Sequence, residues 1–215
     1  LQGSSDGTID SDHVAATLKH FAGYAGTAGG RNRSPYTHGP RYLLDNEVAP
    51  FRHVIRSARP ASVMAAFNEV DGLPCHVNPW ILTDVLRNRI GFKGLIVGDY
   101  QGIDLVRQYQ KIGTSDADAA RMALQAGLQL ELPNNFGYKH LPQLIREGKV
   151  SESTLDAAVR AVLALKFRLG LFEAPYKLDF EKAKALASVK IGPKGVYTED
   201  SIRVYLQEIG RIRLL

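Results

Sequence analysis

One cysteine, Cys75, among 215 residues leaves no partner for an internal disulfide, and with no Cys or His at ligand spacing no zinc site is indicated. No apolar run is long enough to span a bilayer, and the opening Leu1 to Asp12 is polar, without Met, and unlike a signal peptide. Lys and Arg exceed Asp and Glu by 27 to 22, but they are scattered, and no basic run is interleaved with aromatics as a nucleic-acid surface requires. Neither membrane nor nucleic acid is therefore an expected partner, and the compartment is left open. The 45% of hydrophobic residues suffices for one core.

Four short apolar or β-branched runs, Val14 to Phe21, Ala61 to Phe67, Gly94 to Asp99 and Gly127 to Leu132, are predicted as strands buried on both faces. Helical patterns lie at Arg41 to Ser57, Pro79 to Asn88, Asp116 to Gln125, Lys139 to Glu147 and Ser151 to Leu169, the last opening on a good N-cap. Strands alternating with helices imply right-handed parallel βαβ units. The expected fold class is α/β, a partial (β/α)8 TIM-type barrel of about four units, with a doubly wound open sheet as the alternative. Half a barrel would expose two parallel edges and an apolar face, so the chain is expected to continue upstream or to meet a complementing chain. From Lys177 to Leu215 the texture changes to a Lys-rich stretch, a Gly-Pro-Lys-Gly turn at 192 to 195 and an amphipathic run through Ile202, Leu206 and Ile209. That tail is expected to be irregular or helical.

In such barrels the reactive groups sit where strands end and βα loops begin. Asp99 follows the apolar Gly94 to Val97 through Gly98 and precedes Tyr100, a natural place for a nucleophile, and equally a place for the N-cap of the next helix. Lys19 and His20 end the first strand, ahead of a glycine-rich loop (Gly23 to Gly30) and Arg31-Asn32-Arg33. These donors would suit a hydroxyl-rich ligand, or they are a surface lysine beside a core histidine. The loop lacks the Gly-Lys-Ser/Thr ending of a phosphate cradle, so no nucleotide and no other cofactor is expected. Met64 and Phe67 lie on or just after the second strand, followed by Asn68-Glu69 and a tight turn at Asp71-Gly72 and Pro74.

Together these strings resemble glycoside hydrolase family 3, in its β-glucosidase and β-xylosidase branch, from about Val14 to Tyr176. The likeness rests on Lys-His-Phe at 19 to 21, Gly-Gly-Arg-Asn at 29 to 32, Ser62-Val63-Met64 and Leu82-Thr83-Asp84 with Leu86-Arg87. It continues through Val97-Gly98-Asp99-Tyr100, Glu131-Leu132-Pro133 and Leu165-Lys166-Phe167 to Pro175-Tyr176. The resemblance implies that residues 1–176 form the C-terminal half of the catalytic barrel domain and that 177–215 are a divergent tail. It implies a terminal non-reducing β-D-glycoside, small or oligosaccharide, as substrate, and Asp99 as nucleophile of a retaining double displacement. Lys19, His20, Arg31, Met64 and Tyr100 would line the glycosyl subsite. The general acid would be a Glu of a second domain, and the first four strands, with an Asp and an Arg that grip the sugar, would precede Leu1. Glu131, Glu173 and Glu199 have no spacing that marks them as replacements. A truncated sugar-binding or partner-packing remnant is the alternative. Three positions depart from the pattern: Gly98 for Ser, Phe67 for Tyr and Gln129 for Asp. The N-acetylhexosaminidase branch is disfavoured because the loop after His20 lacks the Asp and His that branch uses as its acid. The choice between glucose and xylose is not legible.

Overall fold

The computed structural model describes Gln2, Ile9 and residues 13–172; the tail expected at 177–215 lies outside the described residues. Three parallel strands form one sheet in the order β1 (Thr17–Phe21), β2 (Ser62–Ala65), β5 (Leu95–Val97), with Met64 opposite Val97. Between β2 and β5 a short hairpin pairs β3 (Glu69–Val70) with β4 (Leu73–Pro74). Its turn residues, Asp71 and Gly72, both have positive φ (54° and 76°), the geometry of a two-residue turn that Asp-Gly favours.

The helices follow the alternating order that a parallel sheet needs. After β1, α1 (Pro40–Tyr42) passes through a π-helical turn, Leu43–Glu47, into α2 (Val48–Ala58). A π-helical segment, Trp80–Arg89, returns to β5. Then come α3 (Gly102–Gln108), α4 (Asp116–Ala126), α5 (Leu141–Arg146) and α6 (Glu152–Arg168). The predicted cap is present: the Ser151 hydroxyl accepts from the Thr154 N–H at 3.3 Å. Among the described residues no helix is long and apolar enough to cross a membrane.

Two strand expectations need correction. The first strand is not buried on both faces: among the described residues β1 pairs only with β2, and Thr17 and Lys19 are exposed, as on a sheet edge. The run from Gly127 to Leu132 forms no regular strand and touches β5 through a single parallel bridge, Val97 to Leu130. The reason is competition from side chains. Gln129 Oε1 accepts the Ile96 N–H at 3.0 Å, and the Tyr138 hydroxyl donates to the Leu128 carbonyl at 2.6 Å, so two ladder groups are taken. The segment still runs beside β5, since Gln129 N donates to Ile96 O at 2.9 Å and Gly98 N to Leu130 O at 2.8 Å.

Phe21, Val63, Ile81, Leu86, Ile96, Ile103 and Leu128 are buried in one apolar core, and Leu124, Leu141, Leu144, Val150 and Ala158 form a second under α6. Close approach of backbone to backbone fixes the start of β5. A Cβ on Gly94 would overlap the carbonyl oxygen of Ala61, the acceptor of the Leu95 N–H. Gly94→Ala is therefore expected to cost about 2 kcal/mol, within the range for overpacking. Urea denaturation of the two chains measures it, and equal midpoints would contradict the close approach.

Candidate active site

Because the three strands are parallel, their C-terminal ends gather His20, Met64 and Asp99 on one side of the sheet. The Asp99 carboxylate reaches across the end of β2 to β1, where Oδ2 lies 3.2 Å from His20 Nε2. Its other oxygen accepts the Tyr100 N–H at 2.7 Å. Both side chains are largely withdrawn from solvent, 21% exposed for His20 and 14% for Asp99. Burial lowers the His20 pKa; Asp99 opposes that shift, and Lys19 adds to it. At neutral pH the contact thus sets a neutral imidazole beside a carboxylate.

The N-cap reading of Asp99 is corrected here. The N-cap of α3 is Gln101, in the left-handed region at φ 61°, and no side chain caps that helix. Asp99 contributes its backbone carbonyl to Gly102 N at 2.9 Å, which leaves its carboxylate at the strand end facing His20.

Behind the carboxylate stands a residue that the strand and helix patterns passed over. His76 is buried, and its Nε2 accepts the Asp99 backbone N–H at 2.9 Å. It also bonds the Ala66 backbone, so the ring is a neutral tautomer with its other nitrogen donating to that carbonyl. Burial pushes its pKa down to about 4. Its ring stacks on Phe67 at 6.0 Å, and a Cβ on Gly102 would overlap it. A Cβ on Gly98 would meet His76 at an ordinary 3.5 Å, so packing does not exclude the serine of the family pattern. A lone histidine in Pro-Cys-His-Val carries no periodic signal, which is why the pattern missed it.

The remaining expected residues are only partly assembled. Met64 is half-buried on the central strand between His20 and Asp99. Lys19 and Arg31 are exposed, with no ion pair to Asp99, and Tyr100 is 60% exposed and meets Asp99 through its backbone. Arg33, not Arg31, ties the glycine-rich loop to its neighbours, its guanidinium lying 5.5 Å from the Phe67 ring and 5.7 Å from that of Tyr109. Glu131 has both carboxylate oxygens committed, accepting the Gly137 and Tyr138 N–H groups at 2.8 Å each. Among the described residues the contacts of Asp99 include no second carboxylate. Cys75 is buried, its thiol pushed up to about 12 by burial. Among the described residues no three His, Cys, Asp or Glu side chains are grouped to hold a metal ion.

A strand-end carboxylate met by a histidine from the strand beyond its neighbour is an arrangement that comparison with known proteins can place. Residues 1–165 match the model of the glycosyl hydrolase family 3 N terminal domain. The chain belongs to glycoside hydrolase family 3. It is 36% identical over 178 residues to a periplasmic beta-glucosidase of Salmonella typhimurium, an alignment covering 82% of this chain and 22% of that protein. It is 32% identical over 189 residues to a beta-xylosidase of Formosa agariphila, covering 84% of this chain and 26% of that protein. Its fold matches the beta-glucosidase of Listeria innocua in complex with glucose at TM-score 0.80 and 33% identity, over 93% of this chain and 26% of that one. The family 3 chain thus spans about a quarter of the length of these relatives. Its α/β fold is that of the family's barrel-type N-terminal domain.

Proposed function

We propose that this chain is the nucleophile-bearing part of a retaining β-glycosidase of the β-glucosidase or β-xylosidase type. In this reading residues 1–176 supply the C-terminal half of a (β/α)8 barrel and 177–215 carry no assignment. The observation that carries it is the Asp99 carboxylate, set at the end of β5, met at 3.2 Å by His20 from β1 and not used as a helix cap. Family membership supports it, as do relatives named as β-glucosidases and a β-xylosidase and Listeria innocua structures holding glucose, laminaribiose or isofagomine.

Asp99 Oδ2 would attack the anomeric carbon, His20 and Lys19 would meet sugar hydroxyls, and Met64 would offer an apolar floor to a C–H face of the ring. Arg31 and Tyr100 complete the subsite when a glycoside draws them in. The covalent glycosyl-enzyme is released by water with β configuration retained, and a second carboxyl about 5 to 5.5 Å away protonates the leaving oxygen. That carboxyl comes from outside the contacts of Asp99. Its absence there favours a second reading, a sugar-binding or partner-packing remnant without turnover.

A sugar carrying its own good leaving group separates the two readings because it needs no acid. Incubation of the folded chain with 2-deoxy-2-fluoro-β-glucosyl fluoride is expected to leave one glycosyl adduct, mapped by mass spectrometry to Asp99 and absent in Asp99→Asn. A chain that is folded by circular dichroism and remains unlabelled would leave only the remnant.

A further inference from the structure

Beside the hairpin β3–β4 opens a cleft of about 600 Å³, bounded by Trp80, Tyr36, His38, Pro40, Leu73 and Asp71. Its volume falls in the range of about 300 to 1,000 Å³ typical of small-molecule sites. None of the groups that touch the Asp99 carboxylate lines it. The cleft is built rather than incidental. Asn78, at its base, accepts the Ile81 N–H at 3.2 Å and donates to the Val70 carbonyl at 3.5 Å, tying the start of the helix that bears Trp80 to the hairpin. Tyr36 is buried, and its N–H donates to Glu69 O at 2.8 Å, which closes the opposite wall.

Two features of the lining point to a pyranose. The first is a pair of rings in the wall: the exposed His38 lies 5.3 Å from the Tyr36 ring. With the half-buried Trp80, which packs on the core, His38 gives flat ring faces at a surface. The second is unspent polarity. Thr37, His38, Asp71 and the Trp80 indole make no hydrogen bond or ion pair with another described residue. A sugar ring presents a C–H face and a rim of hydroxyls, so it needs both kinds of surface at once.

We propose that this cleft is a second saccharide site, which holds a β-linked oligosaccharide with one ring against Trp80 and its hydroxyls toward His38 and Asp71. The choice of a β-linked ligand rests on the glycosidase reading, whereas the cleft itself stands on its own geometry. Trp80 is the only tryptophan in the chain, so intrinsic tryptophan emission reports on this cleft directly.

The test is a titration of the full chain with cellobiose and with laminaribiose, followed by tryptophan emission. The expected result is a saturable shift for at least one of them. His38→Ala and Asp71→Ala, both exposed positions, should each weaken it by about two- to tenfold, the loss of one hydrogen-bonding partner. The double variant His20→Ala with Asp99→Ala should leave the titration unchanged. No saturable shift with either sugar overturns the proposal, as does a shift that the double variant abolishes and the cleft variants retain. Adduct formation at Asp99 is read separately by mass, so failure of the nucleophile reading and failure of the cleft are distinguishable.

Discussion

Replacing His76 with leucine is expected to lower folding stability by about 3 kcal/mol and to slow glycosylation of Asp99 by about a hundredfold. Leucine fills the space but leaves the Asp99 N–H without its acceptor and the Ala66 carbonyl without its donor. Each buried orphan costs about 1 to 3 kcal/mol, partly offset by the added apolar burial. In the proposed reaction the freed N–H belongs to the residue whose carboxylate meets the anomeric carbon, so rate falls with stability. His76→Gln keeps both an acceptor and a donor, and should recover much of each. The glutamine variant also isolates a pH effect. Folded His76 is held down at about 4 against 6.5 when unfolded, so between those values the unfolded chain binds the extra proton. Stability is then full above about pH 6.5 and drains as pH falls toward 4, by about 3 kcal/mol in all. Urea midpoints at pH 7 and pH 4.5 should therefore lie further apart in the native chain than in His76→Gln. Equal gaps would mean that His76 titrates freely and does not hold Asp99.

Why His76 escaped the sequence while Asp99 did not is a matter of which interactions leave a pattern. Asp99 ends a continuous apolar run, and a polar residue at a strand end is visible as the stop of that run. Ser151 before α6 was legible because capping selects that residue type, whereas Gly127, read as the start of a strand, is the left-handed C-cap of α4 at φ 102°. Helix α3 was not among the predicted helices, since Gln101 in the left-handed region offers none of the usual cap chemistry. Likewise Gln129 reads as one polar residue in an apolar run, and nothing in the run reveals that its amide replaces a ladder partner of β5. The resemblance named Lys19 and Arg31 beside His20 and Asp99. Both are charged groups on exposed positions, which have little reason to close on the site without a ligand to hold them.

Arg87→Met is expected to be the costlier change for the fold, about 4 kcal/mol, and to leave Asp99 chemistry intact in the folded chain. Arg87 Nη1 donates to the Phe92 and Gly94 carbonyls at 2.9 and 2.6 Å, and Nη2 donates to Gln129 Oε1 at 2.6 Å. Its guanidinium also lies 5.2 Å from the Phe92 ring. Burial brings its pKa down to about 10, so it is still charged at neutral pH, with carbonyl dipoles in place of an acidic partner. Methionine would keep the stem, orphan the Phe92 and Gly94 carbonyls and leave Gln129 Oε1 with the Ile96 N–H alone. Lysine should recover less than half, because one ammonium cannot span acceptors set for a planar fork. Gln129 shares this network and also holds the Ile96 N–H, so Arg87→Met and Gln129→Leu should not add. A double-mutant cycle in urea is expected to return a coupling of about 1 kcal/mol. Strict additivity would mean that the two side chains act apart, and the account of why residues 127–132 pair with β5 through one bridge would fall with it.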